Sequence, residues 1–308
     1  MSCTVAVVLI NWKRPDEVSK TITRLRAQAH QDIVIYIVNN GDVVALHAEL
    51  PKTAEFRIRI IEAGGNSGFS GACNLGLAAA REEGIGYLWF LNTDTRIESD
   101  CLTELLNEVE SHPDCGLFSP VIFNDDVDYP VWVAGGIVDS QSLNFNWVRS
   151  LAEAAKFQQE NPECLVLPGT ALLVRREAFE AIGPMDEELF AYHEDVDFCL
   201  RAEQRNIGRR LVFGARIYHC HKLGEPIAPH VGYYTVRNSL LLMKKYGLII
   251  AFLRRAVWEA HGIRRNGQVG SDLKTARALG LVHGLLGRTG ELPSASRLPF
   301  WIKFFFRI

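Results

Sequence analysis

Apolar positions along the chain follow two rhythms. Val5–Ile10 is a nearly continuous apolar run rich in β-branched residues, the mark of a strand buried on both faces of a parallel sheet. The period then changes: Asp16 stands near a helix start, and Val18, Ile22 and Leu25 fall on one stripe. Strands are predicted over Ile33–Val38 and Arg57–Glu62, an Ala-rich helix over Cys73–Glu83, and a further buried strand over Gly86–Leu91. This β-α-β-α alternation predicts an open, doubly wound sheet. Farther on, a helix is expected from Cys101 to about Ser111, and a loop-rich stretch from Asp125 to Pro162. A strand at Ala171–Val174, a helix at Arg176–Ile182, a second helix from near Asp195 and a strand at Leu211–Tyr218 follow. From Tyr233 the pattern is helical almost to the end, broken near Gly262–Gly270 and Gly287–Pro293.

Ligands of such sheets bind at the carboxyl ends of the strands, and polar residues gather at three of those ends. Ile10 is followed by Asn11-Trp12, Val38 by Asn39-Asn40-Gly41-Asp42, and Leu91 by Asn92-Thr93-Asp94-Thr95. Asp94 is a metal candidate, because a hard divalent cation takes a few carboxylate oxygens and shares its shell with substrate phosphates. Turn capping by Asn92 and Asp94 is the competing reading. The glycine-rich stretch Gly64–Gly71, with Asn66 and Gly68, would let backbone approach a phosphate or ribose, or simply pack tightly. It matches neither a dinucleotide fingerprint nor a P-loop.

The most pointed cluster is Tyr192-His193-Glu194-Asp195-Val196-Asp197. Carboxylates at a helix start interact favourably with the macrodipole; alternatively, one of them is a general base for an acceptor hydroxyl. Asp195 and Asp197 are two positions apart and share no helical face, so only one faces a reacting centre. His219 and His221, at i and i+2 after a strand, point the same way and fit a metal or phosphate contact or an incidental pair. Arg237 is either a bidentate diphosphate ligand or a surface residue of an amphipathic helix.

Composition narrows the class. Of 308 residues, 48% are hydrophobic and 22% charged, which is a globular chain with a substantial core. The net charge of −3 gives no reason to expect nucleic-acid binding, but the charge is unevenly spread. Val231–Ile308 carries 13 Lys and Arg against 3 Asp and Glu, and the remainder 20 against 33. A basic region that is also rich in Leu, Ile, Phe and Trp fits an anionic membrane surface. The tail Pro299–Arg307 reads as an interfacial anchor or as a segment packed on the rest. Seven scattered cysteines without a C-x-x-C pair read as reduced thiols of a cytosolic protein. No signal-peptide pattern is seen, and no apolar run approaches the length of a membrane span.

Taken in order, these segments resemble family 2 glycosyltransferases of GT-A fold, especially the rhamnosyltransferase-like branch, over about Val5 to Tyr246. Asn11-Trp12 and Val38–Asp42 stand at its first two strand ends, and Asn66–Asn74 matches its Asn-x-Gly-Phe-x-Gly-x-x-Asn segment. Asn92-Thr93-Asp94 matches its metal-binding turn, Gly169–Arg176 its Gly-x-x-x-x-Ile-Arg-Arg strand and Gly183–Glu187 its Gly-Gly-Phe-Asp-Glu turn. Glu194–Asp197 with Arg201, His221–Gly224 and Tyr233–Asn238 complete the order. The resemblance implies a GT-A type, doubly wound, mostly parallel α/β sheet with a helical C-terminal extension. Residues 1–230 would bind donor and catalyse; 231–308 would serve acceptor or membrane association. It implies an inverting transfer from a nucleoside-diphosphate sugar (dTDP or UDP, with rhamnose favoured) to a glycan or lipid-linked acceptor in cell-surface polysaccharide synthesis. Mg²⁺ or Mn²⁺ would be held by Asp94 with His221, and Asp195 would be the base. Asn11, Asn39, Asn66, Gly68, Asn92 and Arg237 would line the donor site, while Glu194, Asp197 and Trp132 would lie at the acceptor or behind the base. The location implied is cytoplasmic, peripheral on the inner face of the membrane. Two departures stand out: Asn39 replaces the usual Asp, and Met185 the usual aromatic. The competing classes are a catalytically inactive nucleotide-sugar-binding homologue and a dehydrogenase, the latter without its dinucleotide fingerprint.

Overall fold

A computed structural model describes residues 4–41, 46, 50, 57–125, 128, 130–219, 226–265, 270–293 and 297–308. The strands β1 (Val5–Asn11), β2 (Ile33–Asn39) and β3 (Arg57–Glu62) lie parallel, and β4 (Tyr87–Leu91) joins the free side of β1 in the same sense. Side-chain alternation sends Val5, Val7 and Leu9 of β1 to one face of the sheet and Ala6 and Val8 to the other. β1, β2 and β4 are covered on both faces, which is why they read as nearly unbroken apolar runs, while the edge strand β3 alternates charged and apolar residues. Helix α1 (Pro15–Arg26) places Val18, Ile22 and Leu25 on the first face. Helix α2 (Gly68–Glu82) places Ala72, Cys73 and Leu77 on the second, and α3 (Cys101–Ser111) returns to the first.

The start of α2, five positions before the expected Cys73, is hidden in sequence by its glycines. Gly68 sits at φ +73, and an added Cβ would fall 2.4 Å from the Phe190 carbonyl oxygen. At the middle of α2, a Cβ on Gly76 would fall 2.5 Å from Val8 Cγ1. Small residues thus bring α2 down onto β1.

Beyond β4 the sheet becomes mixed. It continues through β5 (Thr95–Ile97), β6 (Cys115–Asn124), β7 (Val131–Val133), β11 (Ala171–Arg175) and β12 (Gly208–His219). The strand order is β3-β2-β1-β4-β11-β6-β12-β5, with β7 also on β6. β11 runs antiparallel to both neighbours, while β6 and β12 are parallel to each other. β6 was not expected, because Gly116, Ser119 and Pro120 interrupt its apolar run. Pro120 cannot donate to a ladder and lies opposite Val212, where the pairing with β12 shifts register.

The loop-rich stretch after Asp125 holds more structure than its composition suggests. β8 (Gly136–Val138), β9 (Phe145–Trp147) and β10 (Leu165–Val166) form a small separate sheet. Helix α4 (Leu151–Glu160) is capped by Ser150, whose hydroxyl accepts from the Glu153 N–H at 3.3 Å. Helices α5 (Arg176–Ile182) and α6 (Glu194–Glu203) follow, then α7 (Pro229–Lys245), α8 (Ile249–Arg265), α9 (Ser271–Leu286) and α10 (Phe300–Phe306). α8 runs past Gly262 to Arg265. The last four helices share a third apolar cluster containing Tyr233, Leu240, Ile263, Leu279, Ile302 and Phe306. They are not detached from the sheet, since Leu242 and Met243 of α7 pack into the cluster on its second face.

Candidate active site

Three strand ends make one polar row. Asn11 pairs in register with Asn39, and Asn39 with Glu62. Asn11 Nδ2 donates to Asn39 Oδ1 at 2.8 Å, and Asn39 Nδ2 donates to Glu62 Oε2 at 2.9 Å. Both amides are buried, and the Gly41 N–H donates to the same Asn39 oxygen at 3.2 Å. Glu62 is the member that sequence reasoning passed over. It ends the third expected strand, so it sits where the other two polar ends sit.

The exit of β4 lies two strands from Asn39, roughly 10 Å at about 4.8 Å per strand. There the Asn92 N–H donates to the Thr170 carbonyl at 2.8 Å, and Thr95 Oγ1 donates to the Asn92 carbonyl at 2.7 Å. Thr21 of α1 holds the Thr93 carbonyl at 2.7 Å. The turn is fixed through backbone groups, and the Asp94 side chain stays about a third exposed. His219, the last residue of β12, brings Nε2 to 3.4 Å from Asp94 Oδ1. The Trp132 ring stacks on His219, with centroids 4.4 Å apart and planes at 18°. The expected metal partner His221 lies outside the described residues, as does Asp42. Among the described residues no group of three or more His, Cys, Asp and Glu fits a metal ion. Asp94 and His219 are two protein groups, which suits a cation that takes the rest of its shell from substrate phosphates and water.

Asp195 opens the second half of the site at the start of α6. Its Oδ2 accepts from the Gly169 N–H at 3.1 Å and its Oδ1 from the Val196 N–H at 2.8 Å. Gly169 and Thr170 are consecutive, so one dipeptide fastens both the Asp94 turn and the Asp195 carboxylate. Burial pushes the Asp195 carboxyl above its usual range, opposed by those backbone donors. The Glu194 carboxyl is pushed up to about 8, first by burial and then by the Asp195 charge. Its Oε2 is buried with no hydrogen-bond partner. The Tyr192 phenol is raised to about 12, mainly by burial, with Glu194, Tyr234 and Asp94 adding to it. The backbone leading into the pair is strained: Phe190, Tyr192 and His193 all have φ between 65° and 69°.

Asp197 belongs to a different environment. It is fully buried and accepts from Arg201 Nε at 2.8 Å, Lys245 Nζ at 2.7 Å and the Tyr246 hydroxyl at 3.0 Å. Its oxygens are committed to joining α6 to α7. Arg237, expected among the donor ligands, is instead fully buried, and its guanidinium offers no face to a diphosphate. It donates to the carbonyls of Leu189, at 2.8 Å, and Gly290, and lies over the Tyr234 ring at 4.8 Å. The neighbouring Asn238 Nδ2 lies within 2.7–2.9 Å of the carbonyls of Leu189, Ala191 and Tyr192. Together Arg237 and Asn238 hold the strained segment before Glu194. Asn66 donates to Glu291 Oε1 at 2.9 Å and accepts from the Gly68 N–H at 3.2 Å, so both shape the loop into α2. Phe145 of the small sheet approaches His193, with centroids 6.3 Å apart.

A mixed α/β sheet with its acidic turn and carboxylate pair at one edge is a GT-A type architecture. The crystal structure of S. aureus TarS 1–349 is similar over 91% of this chain and 80% of that one, with a TM-score of 0.52 and 12% identity, and so shares the fold. The family model for glycosyl transferase family 2 matches residues 6–183, and the chain belongs to that family of glycosyltransferases. It is 24% identical over 260 residues to the dTDP-rhamnosyl transferase RfbF of Shigella flexneri, covering 80% of this chain and 81% of that one. It is 25% identical over 312 residues to the N-acetylglucosaminyl-diphospho-decaprenol L-rhamnosyltransferase of Mycobacterium tuberculosis, covering 92% and 99%. Among the described residues, no helix is long and apolar enough to cross a membrane.

Proposed function

We propose that this glycosyltransferase moves a sugar, rhamnose being favoured by its relatives, from a dTDP- or UDP-sugar with inversion at the anomeric carbon. The acceptor is a hydroxyl of a glycan or lipid-linked saccharide in cell-surface polysaccharide synthesis. The observation that carries this reading is the Gly169-Thr170 dipeptide, hydrogen-bonded at once to the Asp94 turn and to Asp195. A donor whose nucleoside lies along Asn11, Asn39 and Glu62 extends its diphosphate toward Asn92 and Asp94. Asp94, with His219 and His221, would hold Mg²⁺ or Mn²⁺, which supplies charge stabilisation for the leaving diphosphate.

Asp195 takes the proton from the acceptor hydroxyl as its oxygen attacks the anomeric carbon; the bond to the diphosphate breaks, and the nucleoside diphosphate leaves. Attack from the face opposite the leaving group inverts the centre. The Gly169 and Val196 N–H groups favour the ionised form of Asp195 against the upward push of burial, and Glu194 beside it, its carboxyl raised to about 8, is the group of the pair that holds the proton at neutral pH. Asp197 and Arg237 position this machinery without touching substrate. Trp132, beside His219, and the small sheet lie where an acceptor would enter. Residues 1–230 carry the donor site and chemistry, and 231–308 serve the acceptor and membrane side. A donor panel read by product mass, with Asp195→Asn as control, tests the reading. One sugar transferred by the wild type and none by the variant is expected; undiminished transfer by the variant would remove Asp195 from its role.

A further inference from the structure

Large apolar side chains that a closed core would bury face outward on the C-terminal helices. On α8, Ile249, Leu253 and Val257 follow each other at i, i+4 and i+8, each more than half exposed. On α10, Ile302 and Phe306 pack into the third cluster, which turns Trp301, Phe304 and Phe305 outward, again more than half exposed. The α8 row ends, at Val257, on an open groove of about 1250 Å³ between α8, α9 and α10, lined also by Leu286, Trp301 and Phe304 among others. Arg264, Arg288, Arg297 and Arg307 also line it, and among the described residues no Asp or Glu does. Arg264 stands over the Phe305 ring at 5.3 Å, an aromatic and cation held together at the rim. Arg254 and Arg265 are exposed along the flank of α8.

We propose that this composite face, rather than the tail alone, docks on an anionic phospholipid bilayer. Its apolar rows enter the boundary between headgroups and acyl chains, and its arginines reach the phosphates. The pattern is that of helices lying in the interface plane, with aromatic and aliphatic residues inward and long cations snorkelling outward. A second copy of the chain is a poorer occupant, since a two-fold contact would set one arginine rim against another. Exposed apolar surface of this extent is rare on chains without a partner. The inference deepens the acceptor reading above by naming the surface on which that acceptor is met.

The test is flotation of the whole protein, without donor, on vesicles of phosphatidylglycerol with phosphatidylcholine and on phosphatidylcholine alone. Wild type is expected to float with the anionic vesicles and to be released as salt rises. The variant carrying Val257→Glu and Phe304→Glu, at exposed positions and checked to melt with the wild type, should bind at least about tenfold more weakly. Leu253→Glu alone should also weaken binding, which a tail-only anchor would not show. Equal flotation of wild type and double variant overturns the proposal. So does a wild type that ignores anionic vesicles, or that is a dimer broken by Val257→Glu. Because no turnover is measured, a protein that floats but transfers no sugar counts against the catalytic reading only.

Discussion

At the residue scale, the site turns on which carboxylate is free to act. Sequence placed Glu194, Asp195 and Asp197 within four positions but could not rank them, because the partners that separate them are remote. Asp197 is claimed by Lys245 and Tyr246, 48 and 49 positions away, and Asp195 by the Gly169 N–H, 26 away. Asp195→Asn is therefore expected to abolish transfer while donor binding, measured by calorimetry, stays within about twofold. Asp197→Asn should instead lower stability by about 1–3 kcal/mol in urea denaturation, because an uncharged amide cannot accept all the bonds that Arg201, Lys245 and the Tyr246 hydroxyl now make to the buried carboxylate. Glu194 gives a signature in pH. Its folded-state pKa, about 8, lies above the unfolded value, so the folded protein binds the extra proton between roughly pH 4.3 and 8. Its contribution to stability is thus complete below pH 4.3 and is lost as pH rises toward 8, by at most ~1.4 kcal/mol per unit. Glu194→Gln, neutral throughout, should flatten that part of the stability profile; an unchanged slope would deny Glu194 its raised pKa.

At the element scale, period alone revealed the strands covered on both faces and the ends at which Asn11, Asn39 and Asp94 stand. It missed β6, where Pro120 breaks the run, and α4, whose Ser150 and Glu153 signal was masked by polar neighbours. The role of Arg237 was equally illegible. A guanidinium buried on backbone carbonyls 48 and 53 positions distant looks in sequence like any arginine on a helix. The distinction is measurable. Arg237→Ala should cost roughly 2–4 kcal/mol of stability, since it strips donors from the Leu189 and Gly290 carbonyls and leaves a cavity where a fully buried side chain stood. Arg237→Lys should recover little, because an ammonium cannot reproduce the planar fork. A diphosphate ligand would behave oppositely, raising the donor KM with the melting temperature unmoved. Gly76→Ala makes the same argument for α2 on β1. Its methyl would lie 2.5 Å from Val8, and overpacking of about 1–3 kcal/mol is expected in thermal melts.

At the scale of the whole molecule, the acidic sheet-bearing part and the basic helical part are one mechanical unit despite their opposite charge. α7 gives Leu242 and Met243 to the sheet's core, Lys245 to Asp197, and Arg237 with Asn238 to the segment that aims Glu194 and Asp195. α9 in turn supports α7 from behind: His283 Nδ1 lies 2.8 Å from the Tyr233 hydroxyl, and a Cβ on Gly280 would meet the Tyr233 backbone at 2.4 Å. A chain ending at residue 230 would expose the α7 side of the sheet and leave Asp197 with Arg201 as its remaining charged partner. It would also leave the strained stretch around Phe190 and Tyr192 without the Asn238 amide that holds the Leu189, Ala191 and Tyr192 carbonyls. Residues 1–230 expressed alone are therefore expected to melt without a single cooperative transition and to transfer no sugar, even to a water-soluble acceptor. A cooperative, active 1–230 fragment would show that the helices serve only the membrane. The full chain with Val257→Glu and Phe304→Glu separates the two roles from the other side. It keeps every contact between α7 and the base segment, so it should turn over a soluble acceptor at the wild-type rate while losing the bilayer.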